Sequence, residues 1–442
     1  MDKQLVSVIS EKAIPLKHTA DVVDALIELC GGADFVLLGE ASHGTHEFYK
    51  HRAAITKRLI EERNFSAVAV EADFPDAYRV NRYVRGAGSD GTAEECLDDF
   101  RRYPLWMWRN ADVVDFIAWL RAFNDRRNLA RRVGFFGIDL YSLHSSMEAV
   151  LVYLDKTDTE AARRARYRYS CFEAFGEDPQ HYGYAASFDL SRSCEDDAVR
   201  QLIDLRQRAA DYMNRDGFVA RDEFFFAEQN ARLVKNAEEY YREMFRGRVS
   251  SWNLRDRHMA ETIVALVSHL QTQNLPPKIV VWAHNSHVGD ARGTDMARRG
   301  EWNVGQLIRE KFRGRTVNIG FTTHGGTVTA TSNWDEPAAL KRVNPGLEGS
   351  VEKLFHETGR ENFFLDLRDK EVFDRLEKPV LERAIGVIYR PETERSSHYF
   401  PASLPKQFDG VIHFDKTRAV EPLDKVASWT HEDLPETFPA GL

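Results

Sequence analysis

The sequence predicts an α/β fold: a largely parallel or mixed β-sheet core flanked by helices, with a large helical insertion acting as a lid or second lobe. Three observations carry that expectation. Short apolar runs ending in ionisable residues alternate with helical periodicity in the first third of the chain. Residues 155–269 are rich in Arg, Glu, Ala and Leu at helical spacing and contain no convincing strand. Strand signals then resume at PPKIVVWAHNSHVGD. The expected division is residues 1–154 as the first part of the core, 155–269 as the helical insertion and 270–442 as the second part of the core.

The first unit is ADFVLLGEASHGTHEFYKHRAAITKRLIEER. Phe35 to Leu38 read as a buried strand, Gly39 and Gly44 punctuate a turn, and Thr45 is the expected N-cap of a helix. NFSAVAVEADFPDA gives a second strand, ending in Glu71 and Asp73, with a helix starting after Pro75. A β-α-β succession of this kind predicts parallel strands with both loops at one sheet edge. RVGFFGIDLYSLHSSMEAVLVYL repeats the strand–loop–helix theme. After the helical region, TVNIGFTTHGG, GTVTATS, NFFLDLR, RAIGVIYRP and FDGVIHFDKT are further strand candidates.

Composition narrows the function classes. Hydrophobic residues make up 43% and charged residues 29% of the 442, an ordinary globular balance. The net charge of −9 argues against general nucleic-acid binding, which favours a basic surface. No apolar run reaches the length needed to cross a bilayer, and the start lacks the apolar core of a signal peptide, so the expected location is cytoplasmic. Cys30, Cys96, Cys171 and Cys194 are far apart with no C-x-x-C pair, so neither a cysteine zinc site nor a disulfide framework is expected.

Three strand ends concentrate ionisable groups: Glu40 and His43 in G-E-A-S-H-G, Glu71 and Asp73 in the second strand, and His284 and His287 in W-A-H-N-S-H. Ligand sites of open α/β sheets form outside the carboxyl ends of the strands, so these groups are expected to converge. A histidine accepts a proton near neutral pH, and a neighbouring carboxylate orients its ring and stabilises the imidazolium. Other histidines, an arginine such as Arg52 or helix N-terminal N–H groups can stabilise charge on a carbonyl oxygen. Without a G-x-S-x-G elbow, water is the simplest nucleophile. The same carboxylates and histidines also suit Zn²⁺ or Mn²⁺, so a bound divalent metal stays open, although the chain has no H-E-x-x-H helix. Trp106, Met107 and Trp108, with Tyr167, Tyr169, Tyr182 and Tyr184, line either a cleft or a core.

These motifs together resemble the erythromycin esterase family. The resemblance runs from about residue 18 to 425, through LLGEASHGTHEFYKHR, AVEADFPDAYRVNRYVRG, YPLWMWRNADVVDFIAWLR, GIDLYSLHSSMEAVLVYLD, SWNLRDRHMAETI and VVWAHNSHVGDAR. It implies hydrolysis of a carboxylic ester or macrolactone, such as a macrolide antibiotic or another polyketide-like ester, with no cofactor. His43 matches the family's general base, Glu40 and Glu71 its carboxylates, Arg52 its arginine, and His284 and His287 its histidine pair. In SWNLRDRHM, Arg255 and His258 read either as supports of the site or as structural residues of a helix N-terminus. Arg390, in YRPETERSSHYF, belongs either to a substrate loop or to an ordinary surface loop. The expected partners are a small-molecule ester or lactone and water, without nucleic acid or membrane. Two competing readings are a metal-dependent hydrolase built on the same Glu/His cluster and a non-catalytic binding protein of the same fold.

Overall fold

A computed structural model describes residues 3–16, 19–176, 179–188, 190–213, 218–245, 247–334 and 336–424. Its strands are β1 (Ile14–Pro15), β2 (Phe35–Leu38), β3 (Ala67–Asp73), β4 (Gly134–Asp139), β5 (Ile279–Trp282), β6 (Thr316–Ala330), β7 (Ala339–Val343), β8 (Asn362–Asp366), β9 (Val380–Arg383), β10 (Tyr399–Ala402) and β11 (Gly410–Thr417). The main sheet runs β1-β8-β11-β6-β2-β5-β3-β4, with β7 paired to β6. From β11 to β4 the six neighbouring strands are parallel, and β1, β7 and β8 add antiparallel edges. The sheet is therefore mixed around a parallel centre, as the sequence predicts.

Every residue of β2 to β5 is buried, so these strands read as continuous apolar runs rather than an alternation. Their alternating side chains still divide the core into two layers. Phe35, Leu37, Ala67, Ala69, Ile279 and Val281 pack on one face, together with Tyr153, Leu205, Val234 and Met259 of the helical region. Val36, Leu38, Val68, Val70, Val280 and Trp282 pack on the other, under the helices His46–Arg63 and Ala111–Asp125. The described residues between Leu143 and Thr272 contain helices and no strand.

Several local expectations are corrected. TVNIGFTTHGG and GTVTATS form one long strand, β6, because Gly325 and Gly326 continue its ladders instead of turning it. RAIGVIYRP is not a strand. Its apolar residues are buried, but the backbone crosses the sheet's carboxyl edge and bonds to loops: Ile385 N–H to the Ala41 carbonyl and Tyr389 N–H to the Thr331 carbonyl. Burial and composition alone cannot separate such a crossing segment from a strand. The helix expected after Pro75 already begins at Phe74. Thr45 occupies the N-cap position of His46–Arg63, but its hydroxyl bonds Ser42 and makes no cap hydrogen bond. The cysteine expectation is also overturned: Cys171 and Cys194 are disulfide-bonded with Cα atoms 5.8 Å apart. The bond ties the Thr159–Glu173 helix to the start of the Glu195–Gln207 helix, a proximity created by tertiary packing and invisible in spacing.

Candidate active site

The carboxyl ends of β2, β3, β4 and β5 face one another across the sheet edge, and the charged residues that follow them meet there. Gly39 ends β2 where a Cβ would collide with Asn285 Oδ1. The absent side chain lets the loop lie against the turn after β5, and Asn285 N–H donates to the Glu40 carbonyl at 2.8 Å. Gly44 passes equally close to the backbone of Thr329. The loop carrying Glu40 and His43 is thus fixed from two sides.

His43 is fully buried, with Nδ1 2.9 Å from Glu40 Oε1. The other oxygen of Glu40 lies 2.8 Å from Arg52 Nη2, an ion pair in which both side chains are almost fully buried. The Arg52 guanidinium also lies over the rings of Tyr49 and Trp282, at 4.4 and 5.1 Å. A buried carboxylate is tolerated when a cation compensates it, and Arg52 is the cation paired with Glu40. A carboxylate oxygen can only accept, so the Glu40 contact selects the His43 tautomer that carries its proton on Nδ1 and its lone pair on Nε2.

Beside this dyad lies a denser network. Arg255 reaches from the Arg248–Thr272 helix and bridges two carboxylates. It donates to Asp139 Oδ1 and Oδ2 at 3.0 and 2.7 Å, and to Glu71 Oε1 at 2.8 Å. Glu71 Oε1 also sits 3.2 Å from His287 Nε2, while Oε2 accepts the His284 backbone N–H at 2.8 Å. On its other side, His287 Nδ1 meets both oxygens of Asp256 at 3.0 Å, and its ring stacks on Trp252. Burial alone pushes the Glu71 and Asp139 carboxyls up; His287 and Arg255 at Glu71, and Arg255 at Asp139, outweigh it and hold both below the usual range. Burial lowers His287, but Asp256 and Glu71 reverse that and raise it to about 9, against the opposing Arg255 guanidinium, whose Nη1 lies 3.2 Å from Nε2.

His284 is the opposite case. Burial and then neighbouring His43 hold it well below the ordinary histidine range, so it stays neutral. Its Nδ1 receives the Ser286 backbone N–H at 3.3 Å and lies 2.8 Å from the Ser286 hydroxyl. A backbone N–H can only donate, so Nδ1 is the acceptor and Nε2 carries the proton. The His43 and His284 rings lie 4.9 Å apart. The site therefore sets a basic imidazole nitrogen beside a neutral imidazole N–H donor.

The other expected residues divide. Asp73 stands at the edge of the network, paired with Arg102 at 2.8 Å. His258 lies behind it: Nδ1 meets Asn236 at 2.9 Å, and burial lowers the ring to about 3. It is a neutral packing residue under Asp139. Arg390 does not join the cluster; its guanidinium binds the Ser332 carbonyl and Asn333. Met107 and Trp108 wall a small cavity of about 30 Å³ with Glu71, Asp73, Asp139 and Arg255, room for about one water molecule. Trp106, Tyr169 and Tyr182 are core residues, and Tyr167 and Tyr184 are exposed. The sequence reading gave no role to Asp139 or Asp256. Asp139 ends a parallel strand as Glu71 does, and Asp256 adjoins Arg255; those positions were the available signals.

The charge state of His287 predicts a pH effect on stability. Its folded pKa lies above the unfolded value, so its contribution is complete below about pH 6.5 and is lost as pH rises through about 9. In urea unfolding from pH 6 to 9.5, the stability difference between wild type and His287→Gln is expected to shrink towards alkaline pH. A constant difference contradicts the assignment.

Comparison with known proteins agrees with this architecture. The family model described as Erythromycin esterase matches residues 60–417. The chain is 23% identical to erythromycin esterase type II of Escherichia coli, over 93% of this chain and 98% of that protein. The crystal structure of a succinoglycan biosynthesis protein superposes with a TM-score of 0.77 at 22% identity, covering 95% of this chain and 98% of that one. A mutant of the erythromycin esterase EreC in its open conformation gives 0.65 at 16% identity, covering 92% of this chain and 97% of that one. With the family model spanning most of its length, the chain belongs to the erythromycin esterase family.

Proposed function

We propose that this protein hydrolyses a carboxylic ester or macrolactone, of the macrolide or polyketide-like class, with water as nucleophile and His43 as general base. The observation that carries the proposal is the buried Glu40–His43 pair at 2.9 Å, set against the neutral ring of His284. His43 Nε2 takes a proton from water as the water oxygen bonds to the acyl carbon. Glu40, paired with Arg52, steadies the imidazolium. The His284 Nε2–H is the donor assigned to the developing oxyanion. On collapse of the tetrahedral intermediate the acyl–oxygen bond breaks, and the proton on His43 passes to the leaving alcohol. His287 acts at one remove: through Glu71 it fixes the backbone of His284.

The reaction as proposed requires no metal. Both oxygens of Glu71 are engaged by Arg255, His287 and the His284 N–H, and Arg255 supplies the positive charge between Glu71 and Asp139. With Glu40, His43, Glu71, His284 and His287 all buried, the conformation is closed to substrate. A groove of about 690 Å³, lined by Tyr78, Tyr153 and Phe226 among others, shares the lining residue Asp76 with the small cavity. We assign this groove as the approach and helices of residues 155–269 as the lid. No helix among the described residues is long and apolar enough to cross a membrane. The Cys171–Cys194 disulfide suits an oxidising compartment better than the cytoplasm expected from the sequence.

The test is a mass-spectrometric screen across macrolides and other macrolactones, with and without chelator. The expected result is a product heavier by one water, formed equally after chelation. Activity lost to chelator and restored by Zn²⁺ or Mn²⁺ supports the metal-dependent alternative. Binding without turnover of any ester supports the non-catalytic one.

A further inference from the structure

A second concentration of imidazoles lies elsewhere on the sheet and shares no residue with the Glu40–His287 cluster. His324 stands on β6, His413 and Asp415 on the adjacent β11, and His356 ends the Val351–His356 helix. The rings of His324 and His356 are stacked face to face, with centroids 3.8 Å apart and planes within 7°. His356 Nδ1 meets Asp415 Oδ1 at 2.6 Å. Donor atoms of His324, His356 and Asp415 all lie within 4.8 Å of one another. Behind them, fully buried His413 bonds Thr322 Oγ1 through Nδ1 at 2.9 Å, and its Nε2 has no hydrogen-bond partner among the described residues. That nitrogen faces Asp415 Oδ1 at 3.9 Å.

Packing alone does not explain this group. Nε2 of buried His413 is left with only the 3.9 Å contact to Asp415, and two stacked imidazoles repel once both are protonated. We propose that His324, His356 and Asp415 bind one divalent transition-metal ion of the Zn²⁺ type, with His413 holding Asp415 from the inner side. Two imidazoles and a carboxylate suit Zn²⁺, Co²⁺ or Ni²⁺ far better than Ca²⁺ or Mg²⁺. His324 Nδ1 accepts the Gly346 N–H at 3.2 Å, so that nitrogen carries a lone pair. The side chains of His356 and Asp415 are 39% and 26% exposed, which gives an ion access from solvent. Binding opens the ring stack by rotation about soft side-chain torsions and exchanges the Gly346 N–H bond at His324 Nδ1 for the metal. The ion would tie β6, β11 and the Val351–His356 helix together and so raise thermal stability.

The test uses full-length protein freed of metal by chelation, titrated with Zn²⁺ by calorimetry and melted with and without Zn²⁺. Wild type is expected to bind one Zn²⁺ per chain with a raised Tm. His356→Ala and Asp415→Asn are each expected to weaken binding by at least about 10-fold and to remove the Tm rise, while the metal-free proteins melt as cooperatively as wild type. His324→Gln is the check should either of those fail to fold. Ca²⁺ is expected to give no shift. Equal Zn²⁺ binding in wild type and variants, or an equal response to Ca²⁺, overturns the proposal. Hydrolysis by His356→Ala is expected to match wild type, so failure of this site and failure of the esterase reading remain distinguishable.

Discussion

Replacing His43 with alanine is expected to lower turnover by roughly 10³-fold, with the fold intact. The imidazole is fully buried, and its Nδ1 is held by Glu40, so no exposed histidine can take its place. The affected quantity is kcat, because proton removal from water belongs to the transition state and contributes little to substrate binding. Glu40→Gln is expected to be nearly as damaging. An amide can turn its NH₂ towards Nδ1, invert the tautomer and leave Nε2 without its lone pair, and it also strips Arg52 of its counter-charge. Steady-state kinetics with circular dichroism and Tm as fold controls reads both variants. Near-native kcat in a folded His43→Ala protein removes His43 from the role of base.

Arg255→Met is expected to be the most destabilising single change at the site, by about 3–5 kcal/mol. Arg255 is the shared cation of Glu71 and Asp139, and all three side chains are buried. Removing it strips Asp139 of its paired cation and leaves Glu71 with His287 alone. Protonation of Asp139 is then favoured, and the Glu71 contact that fixes the His284 backbone loosens. Arg255→Lys is expected to recover only part of the loss, because one ammonium cannot reproduce the forked contact with Asp139. Urea unfolding near pH 7 measures both. A change under about 1 kcal/mol for Arg255→Met contradicts the claim that this buried network depends on its cation.

Much of the parallel centre of the sheet was legible because β2, β3 and β4 are short apolar runs closed by Gly39, by Glu71 and Asp73, and by Asp139, and β5 is one followed closely by His284. The meeting of Glu40, His43, Glu71, His284 and His287 followed from topology, since parallel strands deliver their carboxyl ends to one edge. What stayed hidden depends on partners distant in sequence. Asp139 looked like an ordinary strand end until Arg255, 116 residues later, was placed against it. The different charge states of His284 and His287 come from what surrounds each ring, which the H-x-x-H spacing does not encode. RAIGVIYRP is as apolar as a strand because it is as buried as one, and only its hydrogen-bond partners tell the two apart. Arg390 offered a charged residue after an apolar run, the same signal as Glu71, but that run leads away from the cluster.

The central claim is that His43 activates a water molecule directly, with no carboxylate of the protein bonding to the acyl group. A single turnover in H₂¹⁸O, with enzyme in excess over an ester found in the screen, addresses that step alone. The account predicts one ¹⁸O in the acid product and none in the protein. An unlabelled product, with ¹⁸O recovered in Glu40 or Glu71, would show that a side-chain oxygen attacked first.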